Sequence, residues 1–235
     1  MKTKLLSLVG IACLSIAQSA FAINNGGFDG NLTFWTTIGD VAARNGGAFL
    51  TNSAINTDDA PTSTFNFSGT SSVGSNQLET FSNLPDFALD PDSFNSVSAF
   101  EGSALKQTFT IPSGGALRFT WRLFTNELAG SDYAYVVIDD SITQNLITLA
   151  NSSAATGAGA LSYARTTGTN VFLGSTVVSD TMVTVTFGVV DVNDVQTSSA
   201  LLVDSVTIPE PSTVALLGLA GLTCLFRRRS SSAAR

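Results

Sequence analysis

Residues 117–123 read Leu-Arg-Phe-Thr-Trp-Arg-Leu. Apolar side chains at every second position alternate with arginine or threonine between them. A strict period of two is typical of a strand that buries one face and leaves the other partly in solvent. The stretch therefore predicts an antiparallel strand, and its phase directs Trp121 toward the core.

Short apolar or β-branched runs recur on both sides of this strand, from residue 105 to residue 208. Turn signals such as Pro112-Ser113-Gly114-Gly115 separate them. The predicted strands cover residues 105–111, 117–123, 133–138, 146–149, 163–165, 171–173, 183–189 and 201–208. Because helical periodicity is nearly missing from this region, we predict an all-β fold, an antiparallel two-sheet β-sandwich.

Residues 39–100 give a weaker signal, since they are rich in Gly, Ser, Thr, Asn and Asp. Phe65 and Phe67 alternate with polar neighbours, which predicts a short strand. Residues 84–91 are predicted to form a loop with at most one turn of helix. Acidic residues in and after this loop could hold a hard cation, although such a set is more typical of a solvated loop.

The N-terminus has the pattern of a secretory signal peptide. Two lysines precede an apolar run at residues 5–17, and Ala20-Phe21-Ala22 supplies the small residues of a cleavage site, Ala20 and Ala22. We predict a signal peptide over residues 1–22. A lipoprotein interpretation at Cys13 is weaker, because it would leave a very short apolar region.

The last residues of the chain, 208–235, have three parts. Pro209-Glu210-Pro211 comes first, an uncharged run of 14 residues at 213–226 follows, and Arg227, Arg228 and Arg229 end it. As a helix the run is about 21 Å long, which is short of a typical hydrocarbon core. It predicts a marginal transmembrane helix with its arginines on the cytoplasmic side and an extended proline motif on the outer side.

These three parts, in this order, resemble the PEP-CTERM sorting signal of exported bacterial proteins. The resemblance implies recognition by an exosortase, an integral-membrane cysteine peptidase, and removal of the tail. It implies export through an inner-membrane intermediate to the cell surface or to an extracellular matrix rich in exopolysaccharide. An ordinary C-terminal anchor after a proline-rich linker is the alternative.

The predicted cargo, residues 23–207, is strongly acidic and contains no cysteine. It holds 17 acidic and five basic residues, a net charge of −12, and both cysteines lie outside it, at Cys13 and Cys224. So acidic a surface repels nucleic acid, which we therefore do not expect as a partner. The whole chain has no histidine, which removes His-based triads and the usual general base near neutral pH.

The cargo opens with Asn24-Asn25-Gly26-Gly27-Phe28-Asp29-Gly30, followed by Trp35. This opening resembles that of jelly-roll carbohydrate-binding modules. The resemblance implies a jelly-roll sandwich and a structural calcium, with Asp29 and Asp204 as its carboxylate ligands and a polysaccharide as partner. Alternatively, Asp29 is a turn residue that accepts local N–H groups.

Two further groups of side chains could carry chemistry. Asp139-Asp140 is a carboxylate pair of the kind that glycosidases use, although adjacency in sequence is more typical of a solvated turn. A sugar-binding platform of aromatic rings and an arginine could include Trp121, Arg122, Tyr133 and Tyr135. The period of two instead favours a core position for Trp121.

We therefore predict a non-enzymatic exported surface or matrix protein that an exosortase processes and that needs no cofactor beyond a structural calcium. A calcium-stabilised carbohydrate-binding module is the first alternative. A hydrolase that uses carboxylates is the second.

Overall fold

The computed structural model describes residues 23–55, 65–92, 97–127 and 131–209. The predicted signal peptide with Ala20 and Ala22, the transmembrane helix at 213–226 and the arginines at 227–229 lie outside these residues. Of the helices in the described ranges, none is long and apolar enough to cross a membrane.

Thirteen strands and a short helix make up most of the described chain. The strands are β1 (Thr36–Ile38), β2 (Asp40–Arg44), β3 (Gly47–Thr51), β4 (Val73–Gly74), β5 (Ala99–Ile111), β6 (Arg118–Thr125), β7 (Tyr133–Asp139), β8 (Gln144–Asn151), β9 (Gly157–Ala158), β10 (Arg165–Thr166), β11 (Asn170–Leu173), β12 (Thr181–Val192) and β13 (Ser199–Thr207). The helix α1 covers Ser75–Phe81, and a 3₁₀ turn covers Ser152–Ala154.

The strands form two antiparallel sheets. One has the order β1-β5-β12-β7-β8, with β4 also on β5; the other has the order β2-β3-β13-β6-β10-β9, with β11 also on β6. The long pair β5–β12 forms the middle of the first sheet and runs from Ile111 opposite Thr181 to Ala99 opposite Val192. The mostly-β, two-sheet antiparallel sandwich that the sequence predicts is confirmed.

The main hydrophobic core lies between the two sheets. Leu117, Phe119 and Leu123 are buried in it, and Trp121 packs against it while keeping part of its surface exposed. The alternation at 117–123 therefore points into the core as predicted. Phe187 on β12 packs against these residues from the other sheet. Its ring lies edge-on to Phe119, with 4.7 Å between the ring centroids.

Two smaller clusters cover the outer faces of the sheets. On the first sheet, Leu78 of α1 packs with Leu89, Tyr133 and Tyr135. On the second, Phe65 and Tyr163 pack with Phe49 and Phe124. Both faces of each sheet therefore bury apolar surface, which explains why the strands are more apolar than a simple one-sided alternation.

The strand predicted at Phe65 and Phe67 is wrong. The backbone there is a loop, because the buried Asp40 carboxylate accepts hydrogen bonds from Phe67 N (3.1 Å) and Ser68 N (2.6 Å) in place of a strand partner. The region 39–100 also holds more structure than the sequence indicated, namely α1 and the hairpin β2–β3. The turn of that hairpin is Asn45-Gly46, and both residues have positive φ (55° and 78°), as a two-residue hairpin turn requires.

Candidate functional site at the end where the chain leaves the sandwich

The chain leaves the sandwich at the end of β13. Thr207 is its last paired residue, opposite Arg118. Ile208 packs against the main core and Pro209 is exposed. The predicted sorting motif thus begins at the first exposed residue after the last core contact. Glu210 and Pro211 lie outside the described residues.

Several turns lie at this same end of the molecule, which we call the exit end: residues 112–117, 140–143, 174–180 and 208–209. Strand register places them together, because Ile111 pairs with Thr181 and Asp139 with Thr184. Two hydrogen bonds join two of the turns, from Gly114 N to Val177 O (2.8 Å) and from Val177 N to Gly115 O (3.0 Å). The turns at 112–117 and 174–180 therefore hold each other in place.

Asp29 and Asp204 line one cleft of about 710 Å³, together with Arg44, Asn45 and Ser205. The N-terminal segment reaches the cleft because Val206 N donates a hydrogen bond to Gly26 O (2.9 Å). The structure thus places the two carboxylates of the predicted calcium site on one lining.

The donor set of this cleft is small for calcium, which takes six to eight oxygen ligands. The Arg44 guanidinium also lines the cleft and stacks on Phe67, 3.9 Å from the ring centroid. Within the described residues, no group of three or more His, Cys, Asp or Glu side chains is arranged to hold a metal. An ion here would need backbone carbonyls, the Asn45 amide and water, so calcium binding stays a prediction.

A smaller polar groove of about 90 Å³ adjoins this cleft on the second sheet, lined by Trp121, Arg122, Asn45 and Asp204. Packing holds the arginine in place, because its Nε donates to Thr166 Oγ1 (2.8 Å) and its guanidinium lies over the Phe124 ring.

The sugar platform considered for Trp121, Arg122, Tyr133 and Tyr135 is not assembled. Tyr133 and Tyr135 are buried on the outer face of the other sheet, under α1 and its following loop, whereas Trp121 and Arg122 belong to β6.

The carboxylate pair at 139–140 stabilises a turn. The exposed Asp140 side chain accepts hydrogen bonds from Thr143 N (2.6 Å) and Ile142 N (2.9 Å), which lower the pKa of Asp140. Asp139 accepts from Ser141 N (2.9 Å). This geometry fits the solvated-turn interpretation of the pair.

A buried polar cluster at the opposite end of the sandwich was not visible in the sequence. Asp132 Oδ2 accepts hydrogen bonds from Ser199 Oγ (2.7 Å) and Asn52 Nδ2 (3.2 Å), and the same amide donates to Asp191 Oδ2 (3.0 Å). Burial raises the pKa of Asp132 to about 7. The four side chains of the cluster come from β12, β13 and the segments next to β3 and β7, so no local pattern could reveal it.

Residues 207–230 match the PEP-CTERM protein-sorting motif. The chain carries a PEP-CTERM sorting motif. The match begins at the last residue of β13, so the motif starts where the sandwich ends. The motif implies export and sorting to the cell surface.

No curated protein matches the chain. Among solved structures, the chain is similar to TmCBM61 in complex with β-1,4-galactotriose, at 11% identity, with 80% of this chain and 97% of that chain covered and a TM-score of 0.38. It is also similar to a family 16 carbohydrate-binding module, at 13% identity, with 52% and 90% covered and a TM-score of 0.25.

Proposed function

We propose that this chain is an exported, non-enzymatic protein of the cell surface or extracellular matrix, which an exosortase recognises and cleaves near residues 209–212. The observation that carries the proposal is the position of the PEP-CTERM motif. Core packing ends at Ile208, and Pro209 is exposed in the next position.

The proline motif is suited to capture by a membrane peptidase. Neither Pro209 nor Pro211 has a backbone N–H, and each favours extended geometry in the residue before it. Such a segment cannot continue β13 as a fully bonded strand, so its backbone remains available for the peptidase. In this account, the apolar run at 213–226 anchors the inner-membrane intermediate, and the arginines at 227–229 keep the tail's end cytoplasmic.

Two features support a role without catalysis. The chain has no histidine, and the carboxylates of Asp139 and Asp140 are committed to backbone N–H groups of their own turn. Delivery to a layer rich in exopolysaccharide is part of this proposal.

Replacement of Pro209-Glu210-Pro211 by three alanines tests the sorting step. We expect the variant to accumulate in the inner-membrane fraction instead of at the cell surface or in the medium. Pro112→Ala is a matched control, since Pro112 is a proline of a turn at the same end and lies outside the motif. Unchanged distribution of the triple-alanine variant would contradict sorting through this motif.

The second candidate function is a calcium-stabilised carbohydrate-binding module of jelly-roll type. Two observations favour it. Asp29 and Asp204 line one cleft, and the consecutive strands β5, β6 and β7 alternate between the sheets. A glycan array probed with the full chain, in calcium and in chelator, tests the candidate. Binding that weakens with Asp204→Asn is expected, and an array without binding in both conditions rejects this function.

A further inference from the structure

Strongly exposed apolar side chains project from the exit end. Val178 in the 174–180 turn is 94% exposed, Ile142 in the 140–143 turn is 91% exposed, and Leu173 at the end of β11 is 67% exposed. Single exposed apolar residues are ordinary on protein surfaces. These three, which we call the apolar tips, come from separate segments and project at one end.

A groove of about 440 Å³ lies beside the tips, and Leu173 is one of its lining residues. Ile138, Ile147, Leu173 and Val177 line it, and Asp140 lies on its rim. Its lining comes from both sheets, because Ile147 belongs to β8 of the first sheet and Leu173 belongs to β11 of the second. Val178 directly follows the lining residue Val177, and Ile142 lies in the turn between the lining residues Asp140 and Asn145, so the tips flank the groove.

The path of the chain brings this surface close to the start of the apolar tail. A Cβ placed on Gly115 would lie 2.9 Å from the Ile208 side chain, so Ile208 packs directly on the turn that is hydrogen-bonded to Val177. Pro209 is four residues before Thr213, a distance of at most about 14 Å in an extended chain. The headgroup layer on each side of a bilayer is about 5–8 Å thick.

We propose that the exit end docks on the outer surface of the lipid bilayer while the tail anchors the chain, with the apolar tips inserted among the lipid headgroups. The inference rests on the proposed function, because it requires that residues 213–226 insert in the membrane. In the docked state, the sandwich stands on the bilayer and holds the proline motif at the depth of the lipid headgroups.

The acidic charge of the exit end argues against electrostatic attraction to the membrane. The exit end carries the carboxylates of Asp140 and Asp180 together with the guanidinium of Arg118, and the cargo as a whole is strongly acidic. Anionic lipids repel such a surface. Docking through the apolar tips is therefore expected in neutral phosphatidylcholine and should not depend on salt.

The test uses tryptophan fluorescence of the full chain reconstituted in phosphatidylcholine vesicles whose acyl chains are brominated close to the headgroups. Val178→Trp reports on the exit end. Phe100→Trp is the matched control, because Phe100 is an exposed aromatic residue near the start of β5, at the opposite end. Trp35 and Trp121 are present in both variants and contribute equally. We expect bromine to quench the added tryptophan at least twofold more strongly in Val178→Trp.

Flotation of the vesicles separates the outcomes. If the full chain floats with the vesicles but both variants are quenched equally, docking is overturned and membrane attachment stands. If the full chain does not float, anchoring fails and the docking inference falls with it. If Val178→Trp is quenched only in phosphatidylglycerol vesicles, and salt removes the effect, insertion of the apolar tips is wrong.

Adding Ile142→Ser and Leu173→Ser to Val178→Trp should reduce the quenching, and circular dichroism checks that each variant folds.

Discussion

At the scale of single residues, the close approach of Tyr135 leaves no room for a side chain at position 188. A Cβ at this position would lie 2.3 Å from Cζ of the fully buried Tyr135 on the neighbouring strand. Because Tyr135 lies under the packed cluster around α1, it cannot move aside. We expect Gly188→Ala to lower the free energy of unfolding by about 1–3 kcal/mol, measured by urea denaturation. Gly27→Ala is the control, because its nearest contact would be an ordinary 3.6 Å, and equal stability of the two variants would contradict this packing.

The buried carboxylate of Asp132 predicts a particular pH dependence. Its pKa is raised from 3.8 to about 7, mainly by burial; hydrogen bonds from Ser199 and Val192 N oppose the rise, and the nearby charges of Glu127 and Asp194 add to it. Between these two pH values the folded chain holds a proton that the unfolded chain has released. This carboxyl therefore makes the free energy of unfolding fall as pH rises, by up to about 1.4 kcal/mol per pH unit.

Urea denaturation of the wild type and of Asp132→Asn from pH 4 to pH 7 measures this contribution. Groups outside the cluster titrate alike in both proteins, so the difference between the two curves reports Asp132 together with Asp191, which shares the Asn52 amide with it. We expect the wild type to lose stability relative to the variant as pH rises through the window. Parallel curves would mean that Asp132 is ionised in the fold throughout.

At the scale of elements, Asp40 of β2 holds the loop around residue 67 against the second sheet. Its buried carboxylate accepts from Thr51 Oγ1 (2.5 Å), Phe67 N and Ser68 N. Asp40→Ala leaves these donors unpaired, so we expect a loss of at least about 2 kcal/mol of stability. Amide exchange should accelerate at Phe67 and Ser68. The exposed Asp86→Ala should change neither measurement, and unaltered exchange in Asp40→Ala would show that packing alone holds the loop.

The long strands were predictable because their burial pattern is local. Residues 117–123 alternate in sequence and alternate between core and outer face in the structure. The hairpin β2–β3 could have been found from Asn45-Gly46, which is a strong two-residue turn signal between apolar flanks. By contrast, α1 has Gly74 at its N-cap and no side-chain capping hydrogen bond, so only tertiary packing of Leu78 reveals it.

The parts of the candidate site differ in the same way, because one is contiguous in sequence and the other is not. The sorting motif is contiguous, so the sequence alone predicts Pro209, Glu210 and Pro211. The exit end is assembled from turns far apart in the chain, and nothing in the local sequence of Ile142 or Val178 distinguishes it from an ordinary loop residue. Register between strands brings them together, and register is a property of the folded sheet.

At the scale of the whole molecule, the cleft around Asp29 and Asp204 gives a prediction about calcium. If the cleft binds calcium in the folded state only, an ion concentration about 100 times the dissociation constant adds about 2.7 kcal/mol of stability. We expect thermal unfolding of the full chain to shift upward with calcium, and the shift to disappear in Asp29→Asn and Asp204→Asn. Asp86→Asn, distant from the cleft, should keep the shift. A melting temperature that calcium does not change in the wild type would reject the site.

The whole chain is best described as a folded sandwich joined without a linker to a PEP-CTERM tail. The start of the motif, the last core contact at Ile208 and the exposed Pro209 all fall within residues 207–209. Cleavage at this junction would release the sandwich intact, because no strand extends past Thr207 within the described residues.

Intact mass of the protein recovered from its native cells, from both the surface fraction and the medium, tests this account most directly. We expect a chain that begins at Ile23 and ends between Pro209 and Ser212. A chain that ends at Arg235 in both fractions would contradict processing and would identify the tail as a plain membrane anchor.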